Sequence, residues 1–269
     1  MSDNAAPIIE VQNLKKTFGT VEAVRGVSFS VKRGEVFAFL GPNGAGKTTT
    51  IKMLTTLLTP TSGSIRVNGI DPRVDSHGVR KSIGIVFQDP SLDDELTAWE
   101  NLEIHGVLYS VPREVRRKRA ADLLKVVGLS ERKDDLVRHF SGGMKRRLEI
   151  ARGLLHHPAV LFLDEPTVGL DPQTRNLLWS YVADLNTSEG ITVFFTTHYL
   201  EEAEKNAQRI AVIDYGNIIA EGTVATLLTR TKTTSLEEAF LTLTGHAIRE
   251  ESASAVDRLR QRHAAWSRR

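Results

Sequence analysis

One short stretch limits what this chain can fold into: Gly41-Pro42-Asn43-Gly44-Ala45-Gly46-Lys47-Thr48-Thr49. Glycine, four residues, then glycine-lysine-threonine is the spacing of a phosphate loop. The pattern carries weight only between a strand and a helix. Val36-Phe37-Ala38-Phe39-Leu40 before it reads as a buried strand, and Thr49-Thr50-Ile51-Lys52-Met53-Leu54 after it reads as a helix. Glycines let backbone N–H groups turn inward onto phosphate oxygens. The helix start adds unpaired N–H groups and the positive end of a dipole. The loop therefore predicts nucleotide binding, with Lys47 reaching the β- and γ-phosphates and the Thr48 hydroxyl meeting Mg2+.

Composition narrows the classes. A length of 269 residues allows one large domain, or one with a small appendage. A net charge of +2 demands neither nucleic acid nor a membrane surface. With no cysteine, disulfides, cysteine zinc sites and thiol catalysis are excluded together. No apolar run approaches the ~18–20 residues of a membrane span. Met1-Ser2-Asp3-Asn4 lacks the basic and apolar regions of a signal peptide. These features predict a soluble cytoplasmic protein that meets a membrane only through a partner.

Ile8–Leu14 and Val21–Val31 are rich in β-branched residues and predict two strands before the loop. The helix from Lys47 is expected to run to about Leu58, where Thr59-Pro60-Thr61-Ser62-Gly63 breaks it. Ser64–Asn68 and Ile83–Phe87 read as further strands. From Asp89 to about His157 the texture turns helical, and Thr97-Ala98-Trp99-Glu100 has the spacing of a capping box. Between Pro112 and Gly128, Val115, Leu123, Leu124 and Val127 are expected to share one side. Arg113, Arg116, Arg117, Lys118 and Arg119 crowd the start of that helix. Without interleaved aromatics, and diluted by Glu114 and Asp122, they read as a solvated face rather than a nucleic-acid surface. Val160–Leu163 and Ile191–Thr196 have the unbroken apolar texture of parallel strands covered on both faces, joined by a helix from Pro172 to about Leu185. Tyr215-Gly216-Asn217 predicts a hairpin.

Val160-Leu161-Phe162-Leu163 runs directly into Asp164-Glu165. A buried strand ending in carboxylates places them at the edge of the sheet where α/β proteins bind ligands. Beside a phosphate loop the pair divides two jobs: Asp164 holds Mg2+, directly or through water, and Glu165 polarises the attacking water.

Phe140-Ser141-Gly142-Gly143-Met144, shortly before that strand, resembles the signature of ATP-binding cassette ATPases. Gln88 stands where the family's strand-ending glutamine does. Gly169-Leu170-Asp171 is similar to its D-loop, and His198 after Phe195-Thr196-Thr197 to its switch histidine. Phe18 falls where an adenine-stacking aromatic often lies. The matches run in the family's order from about Ile8 to Arg230. The resemblance implies an α/β fold: a P-loop NTPase (RecA-like) core, an N-terminal antiparallel β-subdomain and an inserted α-helical subdomain at about 89–157. The cassette would span 8–231, with a C-terminal helical tail at 232–269. It also implies that ATP and Mg2+ are bound, with Thr48, Gln88 and Asp164 around the metal and His198 at the γ-phosphate. Ser141, Gly142 and Gly143, opening a helix with apolar Met144, Leu148, Ala151 and Leu155, would complete the nucleotide site of a second copy, joined by Asp171. Met144 replaces the common glutamine and Phe140 the common leucine.

Ser235-Leu236-Glu237-Glu238-Ala239-Phe240-Leu241-Thr242-Leu243-Thr244-Gly245 resembles the tail of ATPases that serve drug- and polyketide-type exporters. The resemblance implies a homodimeric ATPase on the inner face of the cell membrane, driving a separately encoded permease. Gln88 and the segment to about Glu103 would pass the movement on. ATPases of sodium, nodulation-factor, polysaccharide and haem-related exporters use similar wording, and importers use the same engine. A cassette acting on ribosomes or DNA would carry two cassettes or a long coiled-coil insertion, and neither is present. A non-hydrolysing nucleotide sensor fits poorly with Glu165 and His198 both in place. His156 and His157, before Pro158, suit a helix C-terminus. His77, His105, His139, His246 and His263 show no ligand spacing. Val256, Leu259, His263 and Trp266 recur at helical spacing, fitting either a docking stripe or a frayed amphipathic end.

Overall fold

The computed structural model describes residues 6–88 and 91–245. The apolar stripe at 256–266 and His246 lie outside the described residues. Strands β1 (Ile9–Phe18) and β2 (Val21–Val31) form an antiparallel hairpin. Strand β3 (Val36–Leu40) leads through the glycine-rich loop into helix α1 (Lys47–Leu54). Strand β4 (Ser62–Val67) returns beside β1, giving a three-stranded antiparallel sheet of order β2-β1-β4. Helix α2 (Ser76–Ser82) and strand β5 (Ile83–Val86) follow. Helices α3 (Ala98–Leu108), α4 (Arg113–Val126) and α5 (Gly142–Leu154) form the expected helical insertion. The chain then alternates: β6 (Val160–Asp164), α6 (Pro172–Glu189), β7 (Thr192–Thr197), α7 (Leu200–Asn206) and β8 (Arg209–Asp214). Strand β9 (Asn217–Gly222) and helices α8 (Val224–Thr231) and α9 (Leu236–Thr244) close the described chain.

The second sheet has the order β5-β6-β7-β3-β8-β9 and is parallel except for β9. Successive residues of a strand face opposite ways, and the core divides accordingly. Phe37, Phe39, Phe162 and Phe194 pack towards α1 and the antiparallel sheet. Ala38, Leu40, Leu161, Leu163, Val193 and Phe195 pack towards the other helices. Every residue of β3, β6 and β7 is buried, which explains their unbroken apolar texture.

Four expectations need correction or refinement. Helix α1 stops at Leu54, short of Leu58, because Thr56 takes a left-handed φ of 68° and the N–H groups of Leu57 and Leu58 fold back onto the Lys52 carbonyl. Helix α2 was unforeseen; the Asp75 carboxylate caps it by accepting from the Gly78 N–H at 2.7 Å. Val115 does not join Leu123, Leu124 and Val127 in the core but is 53% exposed; at about 100° per residue it lies roughly half a turn from Leu124. The cationic cluster on α4 is partly spent internally, with Arg116 bonded to Glu103 and Arg119 to Glu189. The capping box is present as read: the Glu100 N–H reaches Thr97 Oγ1 and the Thr97 N–H reaches Glu100 Oε2.

His156 does not cap its helix; its Nε2 contacts the Ile83 carbonyl at 2.8 Å and its ring stacks on Tyr109. His157 takes the left-handed position after α5, with φ 60°. Among the described residues, no three His, Cys, Asp or Glu side chains group as a metal site. Nor is any described helix long and apolar enough to cross a membrane.

Phe194 is fully buried, and its ring meets Phe29, Phe37, Phe39 and Phe162 at 5.5–5.9 Å, so it joins both sheets. Phe194→Ala should cost about 3–5 kcal/mol in chemical denaturation. A loss below about 1 kcal/mol would show that the sheets are held together elsewhere.

Candidate active site

The glycine-rich loop leaves the end of β3 at the level of Thr197, whose carbonyl accepts the Gly41 N–H at 3.3 Å. Two of its glycines are fixed by close approach. A Cβ on Gly41 would lie 2.2 Å from the Ile213 carbonyl oxygen, and one on Gly46 would lie 2.6 Å from that of Ala23. Gly46 also needs its φ of 106° to turn the chain into α1. The β8–β9 hairpin supports the loop from below: the Gly216 N–H donates to the Ala45 carbonyl at 3.0 Å.

Lys47 is 4% exposed and folds back over the loop. Its Nζ donates to the carbonyls of Gly41 (2.8 Å) and Pro42 (3.2 Å) and lies 3.0 Å from Glu165 Oε1. Strand register brings Asp164 level with Thr196. The Thr196 hydroxyl donates to Asp164 Oδ1 at 2.6 Å and accepts the Glu165 N–H at 3.0 Å. The Thr48 hydroxyl donates to the same Asp164 oxygen at 3.2 Å. Burial pushes the Asp164 carboxyl up, against the pull of the two hydroxyls. Glu165 sits at φ 47°, a left-handed position unusual for a side chain of its size. Burial alone would raise its carboxyl, but the His198 ring and the Lys47 ammonium outweigh it and hold Glu165 at about 2. His198 Nδ1 stands 3.2 Å from Glu165 Oε2, within ionic reach but off the line of a hydrogen bond.

Asn43, Gly44, Gly46, Lys47, Thr48 and Thr49, with Ala23, Gln88 and Glu165, line a cavity of about 400 Å3. Asp164 and His198 adjoin it through Thr48 and Glu165. Gly41, Pro42 and Ala45 shape the loop from behind. Phe18 is absent from this lining; it is 48% exposed at the end of β1, with Lys16 Nζ 5.0 Å from its ring. Ser141, Gly142, Gly143 and Asp171 lie outside it as well. Ser141 caps α5 by accepting the Met144 N–H at 3.3 Å, and Asp171 caps α6 by accepting the Thr174 N–H at 2.9 Å. A Cβ on Gly143 would meet Thr174 Cγ2 at 2.5 Å, so the two caps are neighbours.

Two residues that sequence reasoning missed hold this site together. Thr196 read only as part of a strand, because its pairing with Asp164 is a matter of register. Arg146 lies off the apolar spacing of its helix and drew no reading, yet it is 5% exposed and donates to the backbone carbonyls of Gln88 and Glu165. Its one legible signal is Glu149, three residues on.

Comparison with known proteins agrees with the geometry. The sequence pattern of the ABC transporter family matches residues 24–168. The chain is 46% identical over 223 residues to the linearmycin resistance ATP-binding protein of Bacillus subtilis, covering 83% of this chain and 71% of that one. It is 46% identical over 227 residues to the daunorubicin/doxorubicin resistance ATP-binding protein of Streptomyces peucetius, covering 84% and 68%. A solved ATP-binding subunit of an ABC transporter superposes with a TM-score of 0.81 at 30% identity, over 88% of this chain and 99% of that one. A dimeric cassette in a post-hydrolysis state with ADP and Pi superposes at 0.72 and 30% identity, over 80% and 98%. The chain belongs to the ABC transporter family, as one of its ATP-hydrolysing cassettes.

Proposed function

We propose that this cassette powers an exporter of antibiotic-type compounds, working as a homodimer on the cytoplasmic face of a membrane with a separate permease. One observation carries the hydrolytic reading: Lys47, which a phosphate would attract, is paired with Glu165 at the mouth of the loop cavity. Phosphate oxygens offer Lys47 a stronger acceptor than the loop carbonyls do. As Lys47 turns to the β- and γ-phosphates, Glu165 loses its ammonium partner and is free to orient a water. His198, on the other side of Glu165, contacts the γ-phosphate. Backbone N–H groups from Gly41 to Thr49 cradle the phosphates, and Phe18 stacks on the adenine.

The oxygen donors of Thr48, Asp164 and Gln88 suit Mg2+, a hard cation, and Thr48 and Asp164 already share a hydrogen bond. Bound there, the ion would neutralise charge on the β- and γ-phosphates.

Ser141 and Gly142 are exposed at the N-terminus of α5, away from their own chain's cavity. A second copy, facing the first, brings that helix start and Asp171 to the nucleotide. The export reading rests on the relatives named for linearmycin and for daunorubicin/doxorubicin resistance. On α3, which follows Gln88, Ile104, Val107 and Leu108 are 48%, 57% and 75% exposed and offer the permease an apolar face.

Lys47→Ala should lower ATP turnover by at least about 100-fold, measured as phosphate release; near-normal turnover would refute the loop's role. Glu165→Gln should bind ATP, stop hydrolysing it and accumulate as a dimer in light scattering with ATP and Mg2+. A Glu165→Gln protein that turns ATP over, or stays monomeric with nucleotide bound, would remove the shared-site mechanism. Leu108→Glu should keep the ATPase activity of the isolated subunit but lose co-purification with its permease when the two are co-expressed. Unchanged co-purification would place that contact elsewhere.

A further inference from the structure

We propose that Arg146 is a positioning residue for ATP hydrolysis: with Glu149 and Arg152 it fixes the Gln88 loop and the Glu165 backbone to the helix that starts at Ser141. The inference rests on the reading of Gln88 and Glu165 as parts of the hydrolytic site.

One guanidinium joins three segments that are far apart in sequence. Arg146 Nη2 donates to the carbonyls of Gln88 and Glu165, each at 3.3 Å. Its Nη1 donates to the Phe87 carbonyl and lies 3.3 Å from Glu149 Oε2. Three carbonyl dipoles converge on one buried cation, which a planar fork of donors satisfies and a single ammonium does not.

The far side of the Gln88 loop is held by the same helix. Glu149 is 1% exposed, and its Oε1 accepts the Ser91 N–H at 2.7 Å and the Ser91 hydroxyl at 3.3 Å. Arg152 donates to the Ser91 carbonyl at 2.6 Å and to its hydroxyl. Phe87 and Gln88 on one side and Ser91 on the other are thus tied to successive turns of α5. The opposite charges of Arg146 and Glu149 allow both to be buried.

The Glu165 contact bears on chemistry. A left-handed glutamate persists only where its surroundings hold it. Its N–H is held by Thr196, and its carbonyl accepts from Arg146 and from the Val168 N–H, each at 3.3 Å. Loss of the Arg146 bond leaves the peptide after Glu165 held only within its own turn, by Val168, and no longer tied to α5, so the carboxylate loses its aim while the phosphate loop stays intact. A displacement of α5, where Ser141 and Gly142 would meet the nucleotide of a second copy, moves the Gln88 carbonyl and the Glu165 backbone together. Arg146 thereby links assembly of the shared site to alignment of the water-orienting carboxylate.

The test compares the full-length chain with its Arg146→Gln, Arg146→Lys, Glu149→Gln and Gln88→Ala variants, by steady-state ATPase with Mg2+, fluorescent-nucleotide binding and thermal unfolding. Arg146→Gln should lower kcat about 10- to 100-fold with KM and nucleotide affinity within about threefold. Arg146→Lys should recover only part of kcat, and Glu149→Gln, which retains an acceptor for Ser91, should lose less than Arg146→Gln. Combining Arg146→Gln with Gln88→Ala should cost less than the product of the two single losses. An unchanged kcat per folded molecule, or equal losses in kcat and affinity, would overturn the inference. If Arg146→Gln does not fold, the Lys and Glu149→Gln variants decide: normal kcat in both overturns it. If Gln88→Ala and Glu165→Gln both turn over normally, the reading of the site fails first; if they are impaired and the Arg146 variants are not, the positioning role alone fails.

Discussion

Leu40 at the end of β3 is level with Thr197 at the end of β7, and Asp164 at the end of β6 is level with Thr196. That register gathers the reactive groups at one edge. Parallel strands end on the same side of their sheet, so the glycine-rich loop, the two carboxylates and His198 all leave the sheet there. The alignment is held by burial, because each of these strands is covered on both faces. A slip of one residue in β6 would exchange Phe162 with its neighbours across the sheet. It would also take Asp164 away from the Thr196 hydroxyl that holds it.

Around that edge the charges satisfy one another. Lys47 and Glu165 are both nearly inaccessible to water, and an unpaired ion in either place would be costly. Their pairing, with His198 beside it, holds the Glu165 carboxyl at about 2 against the effect of burial. Because that value lies below the ordinary glutamate range, the stabilisation is complete at neutral pH and fades only as the pH falls from about 4.5 towards 2. A carboxylate held so low is a feeble base. In the proposed reaction, drawing Lys47 away to phosphate would remove the ammonium beside it, and the proton affinity of Glu165 would then rise. On that proposal, binding of substrate and strengthening of the base would be two consequences of one displacement.

What could be read from the sequence is what short-range chemistry determines. The phosphate loop, the apolar strand running into Asp164-Glu165, the Thr97–Glu100 capping box and the Tyr215-Gly216-Asn217 turn each announce themselves within a few residues. The turn takes φ 43° and 76° at its two central positions, as a tight hairpin needs. What stayed hidden depends on residues distant in the chain. Thr196 matters because of where β7 lies against β6, and Arg146 because three carbonyls converge on it. Val115 misled because an apolar residue near a helix start suggests a stripe, while its angular position sets it roughly half a turn from Leu124. The end of α1 was misjudged because Thr56 adopts the left-handed backbone before the chain reaches the proline and glycine.

The two departures from the common cassette signature fit the same logic. Phe140 is 6% exposed within the core of the helical region, and the Arg132 guanidinium lies 5.9 Å from its ring. Met144 packs partly buried against that core. Both substitutions therefore add apolar contact on either side of Ser141, Gly142 and Gly143. The cap itself uses the Ser141 hydroxyl and the Met144 backbone N–H, a donor that glutamine would supply equally well. Exchanging glutamine for methionine thus removes a polar side chain from the helix start but leaves the exposed serine, the unpaired N–H groups and the dipole that attract an anion. Packing of Phe140 and Met144 holds the start of α5 against the helical core, while Arg146, two residues further on, carries the position of that helix to Glu165.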